Sequence, residues 1–281
     1  MSSLVGKTVF IDFDGTYAAN GVIPDAHVRA VREAQANGHR VLLCTGRPKA
    51  LVAPDELAVF DGLVAAAGGY VELDGEVLSD RRFPPALGAR LIRLLEANGA
   101  AYIMEAPDAV HVPPGVTERL ERLLTGAAHS PDLGKAAEDI LAPLQTTYDP
   151  AGTSFSKVTC FDCAIPTAWV AAELAPEVSV VPSSIGSLGE KAGEFYLTGV
   201  DKSVGIRVVA ARYGLRRDDI VAIGDGHNDL EMVEYAGTGV VIEGAAPELL
   251  TLADLVVPKP EHEGLVVAFE RLGLTGAVQA A

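Results

Sequence analysis

An α/β fold with a parallel sheet, interrupted by an inserted second α/β domain, is what this sequence predicts. Three observations carry that prediction. Short β-branched or leucine-rich runs alternate with stretches of helical period, the pattern of βαβ units. Several of these runs end in Asp, Thr or Gly-rich loops, and in α/β sheets ligands bind at the carboxyl ends of strands. The character changes after Ser79 and regular alternation resumes near Glu194, which brackets an insert from roughly Arg82 to Ser187.

Thr8-Val9-Phe10-Ile11 is the first buried strand, and it opens directly into Asp12-Phe13-Asp14-Gly15-Thr16. Pro24 to Asn37 follows as a helix with apolar residues at Val28, Val31 and Ala34, and Gly38 stands where a C-cap belongs. Arg40 to Cys44 is a second strand, ending in Thr45-Gly46-Arg47-Pro48, and Leu63 to Ala66 is a third. From Tyr70 to Leu78 the central Asp74-Gly75 marks a two-residue hairpin. In the insert, Pro84 to Asn98 and Val116 to Leu124 read as helices and Ala101 to Glu105 as a strand. Ala127 to Asp149 is polar and Pro-punctuated, without a clear period. Lys157 to Phe161, Pro166 to Ala175 and Val178 to Pro182 give strand, helix and strand, before a loop-like stretch at Ser183 to Ser187. The core then resumes with a strand at Glu194 to Leu197, a helix from Ser203 to Tyr213 and a strand from Asp219 to Ile223. A helix from Asp229 to Tyr235, a strand from Thr238 to Ile242 and a closing helix from Glu263 to Leu272 complete it. The expected domains are therefore residues 1–81 and 188–281 for the core and 82–187 for the insert.

The composition is that of a globular chain, with 49% apolar and 21% charged residues among 281. A net charge of −16 argues against nucleic acid or an anionic membrane as partner, since both demand basic surface. It is compatible with a small phosphorylated substrate, because a metal ion reverses the local potential in a pocket. No apolar run approaches the roughly 18–20 residues that span a bilayer, and Met1 to Lys7 leads straight into the first strand, so a cytoplasmic location is expected. Three cysteines, Cys44, Cys160 and Cys163, suggest no disulfide framework. Cys160-Phe161-Asp162-Cys163 spells C-x-x-C, but on a strand its odd spacing sends the sulfurs to opposite faces, and no second ligand pair completes a zinc site.

Asp12 and Asp14 are the most informative residues. Two carboxylates at the mouth of a buried strand call for a metal or a reaction, although alone the pentapeptide also fits an Asx-turn closing the strand, the less favoured reading. Three further element ends carry the same theme. Thr45-Gly46 offers a hydroxyl and an unobstructed N–H, Lys202 precedes a helix, and Gly224-Asp225-Gly226-His227-Asn228-Asp229 follows the buried strand ending at Ile223. Together they hold oxygen ligands for a hard divalent cation such as Mg²⁺, and donors plus an ammonium for phosphoryl oxygens.

In this order the four segments resemble the four motifs of the haloacid-dehalogenase-like (HAD) hydrolase superfamily, and the insert resembles the C2-type cap of its Cof-like, subfamily IIB sugar-phosphatase branch. The resemblance spans nearly the whole chain. It implies a Rossmann-like parallel-sheet core with an α/β C2-type cap, and a Mg²⁺-dependent phosphomonoester hydrolase of small phosphorylated metabolites. Asp12 is then the nucleophile that forms an aspartyl-phosphate, and Asp14 the general acid and base. The implied metal site comprises Asp12, the main-chain carbonyl of Asp14, and Asp225, with Asp229 as a ligand or close behind one. Thr45, Gly46, Lys202 and Asn228 are the implied phosphate-binding residues. The resemblance also makes Asp14 discriminating: dehalogenase-type members lack this acid, and ATPase pumps carry Thr there. The cap is expected to hinge near Asp80-Arg81 and Ser187-Gly189.

Other residues weigh less. Lys191 competes with Lys202 but lies in the expected return hairpin. His227 suits a solvated turn, and Arg47 either the site or the surface. Tyr17 is expected under the cap or at the site's mouth, Trp169 in the core of the insert, and Glu105, His111 and Arg119 in the cap. Two rivals remain open: a hexose-phosphate phosphomutase, which requires clustered cap arginines from among Arg81, Arg82, Arg90, Arg93, Arg119 and Arg122, and a non-catalytic member binding a phosphorylated ligand or protein. A monomer or homodimer is expected.

Overall fold

A computed structural model describes residues 6–127, 138, 140–183 and 186–276. Most of the polar stretch after Ala127 (128–137 and 139), Ser184 and Ile185 of the loop-like stretch, and residues 1–5 of the amino-terminal stretch lie outside the described residues.

The chain begins with β1 (Thr8–Ile11), α1 (Asp25–Ala36), β2 (Arg40–Cys44), α2 (Pro54–Leu57), β3 (Gly62–Ala65), β4 (Tyr70–Leu73) and β5 (Glu76–Asp80). It continues with α3 (Pro85–Ala97), β6 (Ala101–Glu105), β7 (Val110–Val112), α4 (Thr117–Ala127), β8 (Leu144–Thr146), β9 (Lys157–Asp162), α5 (Thr167–Ala172), β10 (Val178–Pro182) and β11 (Gly193–Leu197). The last part holds α6 (Lys202–Tyr213), β12 (Ile220–Gly224), α7 (Leu230–Tyr235), β13 (Thr238–Ile242), α8 (Pro247–Leu250), β14 (Leu255–Val257) and α9 (Gly264–Arg271).

These elements form two compact units. The first comprises the described residues up to Gly46, Ala53–Ser79, and those from Asp201 onward. Its eight-stranded sheet runs β14-β13-β12-β1-β2-β3-β4-β5, parallel from β14 to β3 and closed by the antiparallel β3–β4 pair. β1 and β12 are buried throughout, as strands of a parallel sheet covered on both faces must be. One face packs Phe10, Leu42, Val64 and Ala222 with Ile206 and Val209 of α6 and Met232 of α7. The β4–β5 turn has positive φ at both Asp74 (52°) and Gly75 (77°), the geometry that the Asp-Gly pair predicts.

The second unit comprises Arg47–Val52 and the described residues of Asp80–Val200. Its six-stranded sheet runs β10-β11-β9-β6-β7-β8, antiparallel except for the β7–β8 pair. Leu91, Ile92 and Leu95 of α3 pack on Tyr102, Met104, Val158 and Phe195.

Several expectations are corrected. β11 belongs to the second sheet, paired with β9 and β10, so the second unit reaches Val200 rather than Ser187; a half-buried strand has the same period whichever sheet it joins. Cys160 and Cys163 enter one apolar cluster instead of opposite faces, because β9 ends at Asp162 and Cys163 is already past the pleat. Trp169 is 64% exposed, since the buried stripe of α5 is Thr167, Val170 and Ala171. Tyr17 is fully buried within the first unit, beside the rings of Phe13, His27 and Phe60. The short strands β7, β8 and β14 and the helix α8 escaped the periodic signal, being only three or four residues long. Among the described residues no helix is long and apolar enough to cross a membrane.

His27 couples α1 to its surroundings. Leu265 N–H donates to Nε2 at 3.3 Å, which leaves the proton on Nδ1, and Nδ1–H donates to the Tyr17 carbonyl at 2.9 Å. Burial lowers its pKa below 6.5. A base with a depressed folded pKa contributes stability that is complete above its unfolded value and is lost as pH falls through the folded value. Urea unfolding should therefore show a loss of stability from pH 7 downward that is smaller in His27→Gln, whose amide supplies a donor and an acceptor without titrating. Identical pH profiles for the two proteins would exclude His27 as the source.

Candidate active site

Three adjacent strands, β12, β1 and β2, deliver the candidate residues to one end of the first sheet. The register pairs Ile11 with both Ile223 and Leu43, and Asp12 N–H extends the ladder to the Ile223 carbonyl at 2.9 Å. Asp12, Thr45 and Asp225 thus leave their strands at nearly the same height. The order of strands reverses at β1, where β2 and β12 flank it, and such a switch point is where an α/β sheet opens a crevice.

After Asp12 the chain turns at once: Tyr17 N–H donates to the Asp12 carbonyl and Ala18 N–H to that of Phe13. Asp12 remains buried, whereas Asp14 is exposed. Gly15 must be glycine for two reasons. Its φ is +89°, and a Cβ would stand 2.2 Å from a carboxylate oxygen of Asp225.

Lys202 opens α6, whose N-cap is Asp201, its side chain accepting from Val204 N–H at 3.2 Å. The Lys202 side chain is fully buried, and Nζ donates to Asp12 Oδ1 and Asp229 Oδ1, each at 2.5 Å. Asp229 is also fully buried, and its Oδ2 accepts the backbone N–H groups of Asp225 (3.0 Å) and Gly226 (2.8 Å). Its carboxylate therefore holds the Asp225 loop closed while fixing the lysine. Thr16, which sequence reasoning passed over, donates its hydroxyl to Asp225 Oδ1 at 2.7 Å. The signal was its place directly after the Asp12–Gly15 segment, with no period or charge to mark it.

The electrostatics follow. Burial pushes the Asp12 carboxyl well above the usual range, the Lys202 ammonium opposes this, and Asp229, Asp225 and Asp14 add to it. Asp225 is pushed up to about 6, chiefly by burial and against the pull of the Thr16 hydrogen bond. For Lys202, burial alone would lower the pKa, but Asp12 and Asp229 outweigh it and raise it. One oxygen each from Asp12, Asp225 and Asp229 lie within 4.8 Å of one another. An all-oxygen set with more negative charge than one ammonium balances fits a hard divalent cation.

Thr45 is buried, with its N–H on the Val64 carbonyl and its own carbonyl accepting from Ala67 N–H. The strained turn at Ala66 and Ala67 (φ 49° and 50°) makes that contact, and the next residue, Gly68, lies against the Asp201 backbone. Asn228 stands beside Gly46, where a Cβ would meet its Nδ2 at 3.1 Å. Asp12, Asp225, Asp229 and Lys202 are thus brought into one cluster, and Gly46 and Asn228 approach each other. His227 is exposed. Arg47 and the exposed Lys191 belong to the second unit. Glu105 is buried in an ion pair with Lys157, and Arg119 pairs with Asp162.

A family model described as haloacid dehalogenase-like hydrolase matches residues 9–269. "Putative phosphatase YkrA" of Bacillus subtilis (strain 168) is 29% identical over 275 residues, covering 95% of this chain and 98% of that protein. The solved structure described as the HAD subclass IIB sugar phosphatase BT4131 superposes with a TM-score of 0.75 at 21% identity, over 95% of this chain and 99% of the other. The phosphatase BT1666 from Bacteroides thetaiotaomicron gives 0.78 at 20% identity, over 97% of both chains. At these identities the two structures establish the likeness of fold.

Removing the lysine tests the cluster. Lys202→Met leaves two buried carboxylates without their cation and should destabilise the protein by about 3–5 kcal/mol in urea unfolding with chelator present. Adding Asp229→Asn should recover part of the loss, and full stability in the single variant would show that the pair contributes nothing.

Proposed function

The chain belongs to the haloacid dehalogenase-like hydrolase family, and we propose that it is a phosphatase acting on small phosphomonoesters, sugar phosphates first among them. The observation that carries the proposal is the buried Asp12 held by Lys202 beside Asp225, with the exposed Asp14 two residues away. Likeness to a named phosphatase over nearly the full length supports the reaction class, and the sugar-phosphatase neighbour supports the substrate class.

In this mechanism Asp12 attacks phosphorus and the ester oxygen departs, giving an aspartyl-phosphate. Lys202 opposes the burial that disfavours ionisation of Asp12, and it aims the carboxylate. Two of its N–H groups bind Asp12 and Asp229, and in this reading its charge lies beside the phosphoryl oxygens. Asp14, on the exposed side of the loop, gives a proton to the departing oxygen and then takes one from the water that hydrolyses the intermediate. Thr45, the Gly46 N–H and Asn228 bind the remaining phosphoryl oxygens, where donors already in place stabilise developing charge. Mg²⁺ is the cation that we assign to Asp12, the Asp14 carbonyl and Asp225, with Asp229 against them. When bound it would neutralise phosphoryl charge as a Lewis acid. The second unit is the cap in this reading, and it discriminates between leaving groups.

Hydrolysis of p-nitrophenyl phosphate tests the proposal. Turnover should require Mg²⁺, fall below about one-thousandth in Asp12→Asn, and fall about 10²–10⁴-fold in Asp14→Asn. Undiminished turnover in Asp12→Asn would sink it.

A further inference from the structure

One open cleft of the second unit is lined by none of the residues assigned to this chemistry. It has a volume of about 830 Å³, and Arg81, Arg82, Arg90, Leu87, Pro176 and Leu197 are among the residues of its wall. That is the size of a site for a metabolite. Three arginines lining one space are unexpected in a chain of net charge −16, and the wall includes only two acidic residues against them, Asp80 and Glu177.

The three arginines are not equally engaged. Arg82 is held by Asp80 at 2.9 Å and reaches Asp108 at 3.5 Å, which also occupies the Asp80 carboxylate. Arg90 spends one N–H on the Glu173 carbonyl at 3.2 Å. Among the described residues neither Arg81 nor Arg90 has a carboxylate within ion-pair distance. Each guanidinium presents five N–H donors in a planar fork that matches a carboxylate or phosphate in paired hydrogen bonds. Beside them Leu87, Pro176 and Leu197 offer apolar surface, on which an inorganic ion could gain nothing. The cavity also touches both ends of its unit's long segment, since Asp80 and Val200 line it. An occupant would contact the segment by which the chain enters this unit and the one by which it leaves.

We propose that this cavity binds an organic oxyanion of metabolite size, with its phosphate or carboxylate group on Arg81 and Arg90 and its carbon skeleton against Leu87, Pro176 and Leu197. The proposal is independent of the reaction assigned to Asp12.

Calorimetric titration of the full chain, in chelator, with phenylphosphonate, phthalate and inorganic phosphate tests it. Phenylphosphonate resists hydrolysis, and comparison with phthalate separates a phosphoryl from a carboxylate preference. At least one organic probe should bind with a Kd of about 1 mM or below, at least tenfold tighter than inorganic phosphate. The double variant Arg81→Ala/Arg90→Ala should weaken that binding tenfold or more, with thermal unfolding unchanged because both side chains are exposed. Absence of binding by both organic probes, or equal affinity for the variant and the wild type, would overturn the proposal. Equal affinity for inorganic phosphate would remove its organic part.

Discussion

The buried ammonium of Lys202, bonded to Asp12 and Asp229 at once, is the interaction on which the first unit's chemistry depends. Burying one carboxylate without a partner is costly, and burying several together is worse, because each disfavours ionisation of the others. The lysine makes the arrangement tolerable and draws three distant parts of the chain to one point: the end of β1, the start of α6 and the loop after β12. It does not complete the charge balance, and that deficit is what the proposed divalent cation would offset.

Asp229 shows how little of this is free to vary. One of its oxygens binds the lysine, and the other accepts two backbone N–H groups of the loop that carries Asp225. A single side chain therefore positions both the cation opposite Asp12 and the carboxylate beside it. Gly15 is constrained from the other side, since any side chain there would occupy the space of the Asp225 carboxylate. Preorganisation of this kind is what electrostatic catalysis requires, because donors and charges set in place by folding need no rearrangement during reaction.

Much of the core was legible in advance, for a physical reason. Parallel strands are apolar on both faces and end in loops, so runs such as Thr8–Ile11 and Ile220–Gly224 stand out, and the polar residues that follow them are exposed to view in the sequence. The segments carrying Asp12, Thr45 and Asp225 were visible in this way, and Lys202 by its place at the start of a helix. The insert was harder to read. Two of its strands, β7 and β8, are only three residues long, and nothing in the residues of β11 says which sheet it will join. Trp169 and Cys163 were misplaced because one residue of phase decides which way a side chain points, and the ends of α5 and β9 set that phase.

The sequence by itself determined the class of fold, the chemical types gathered at strand ends, and a net charge of −16. Those properties are local or compositional, and they survive ignorance of the partners of each segment. Tertiary structure decided which oxygen of Asp229 faces Lys202, that Thr16 orients Asp225, where the second unit ends, and that Arg81, Arg82 and Arg90 line one space. Each of these depends on residues far apart in the chain meeting at a distance of a few ångströms, and only strand register and helix packing set such distances.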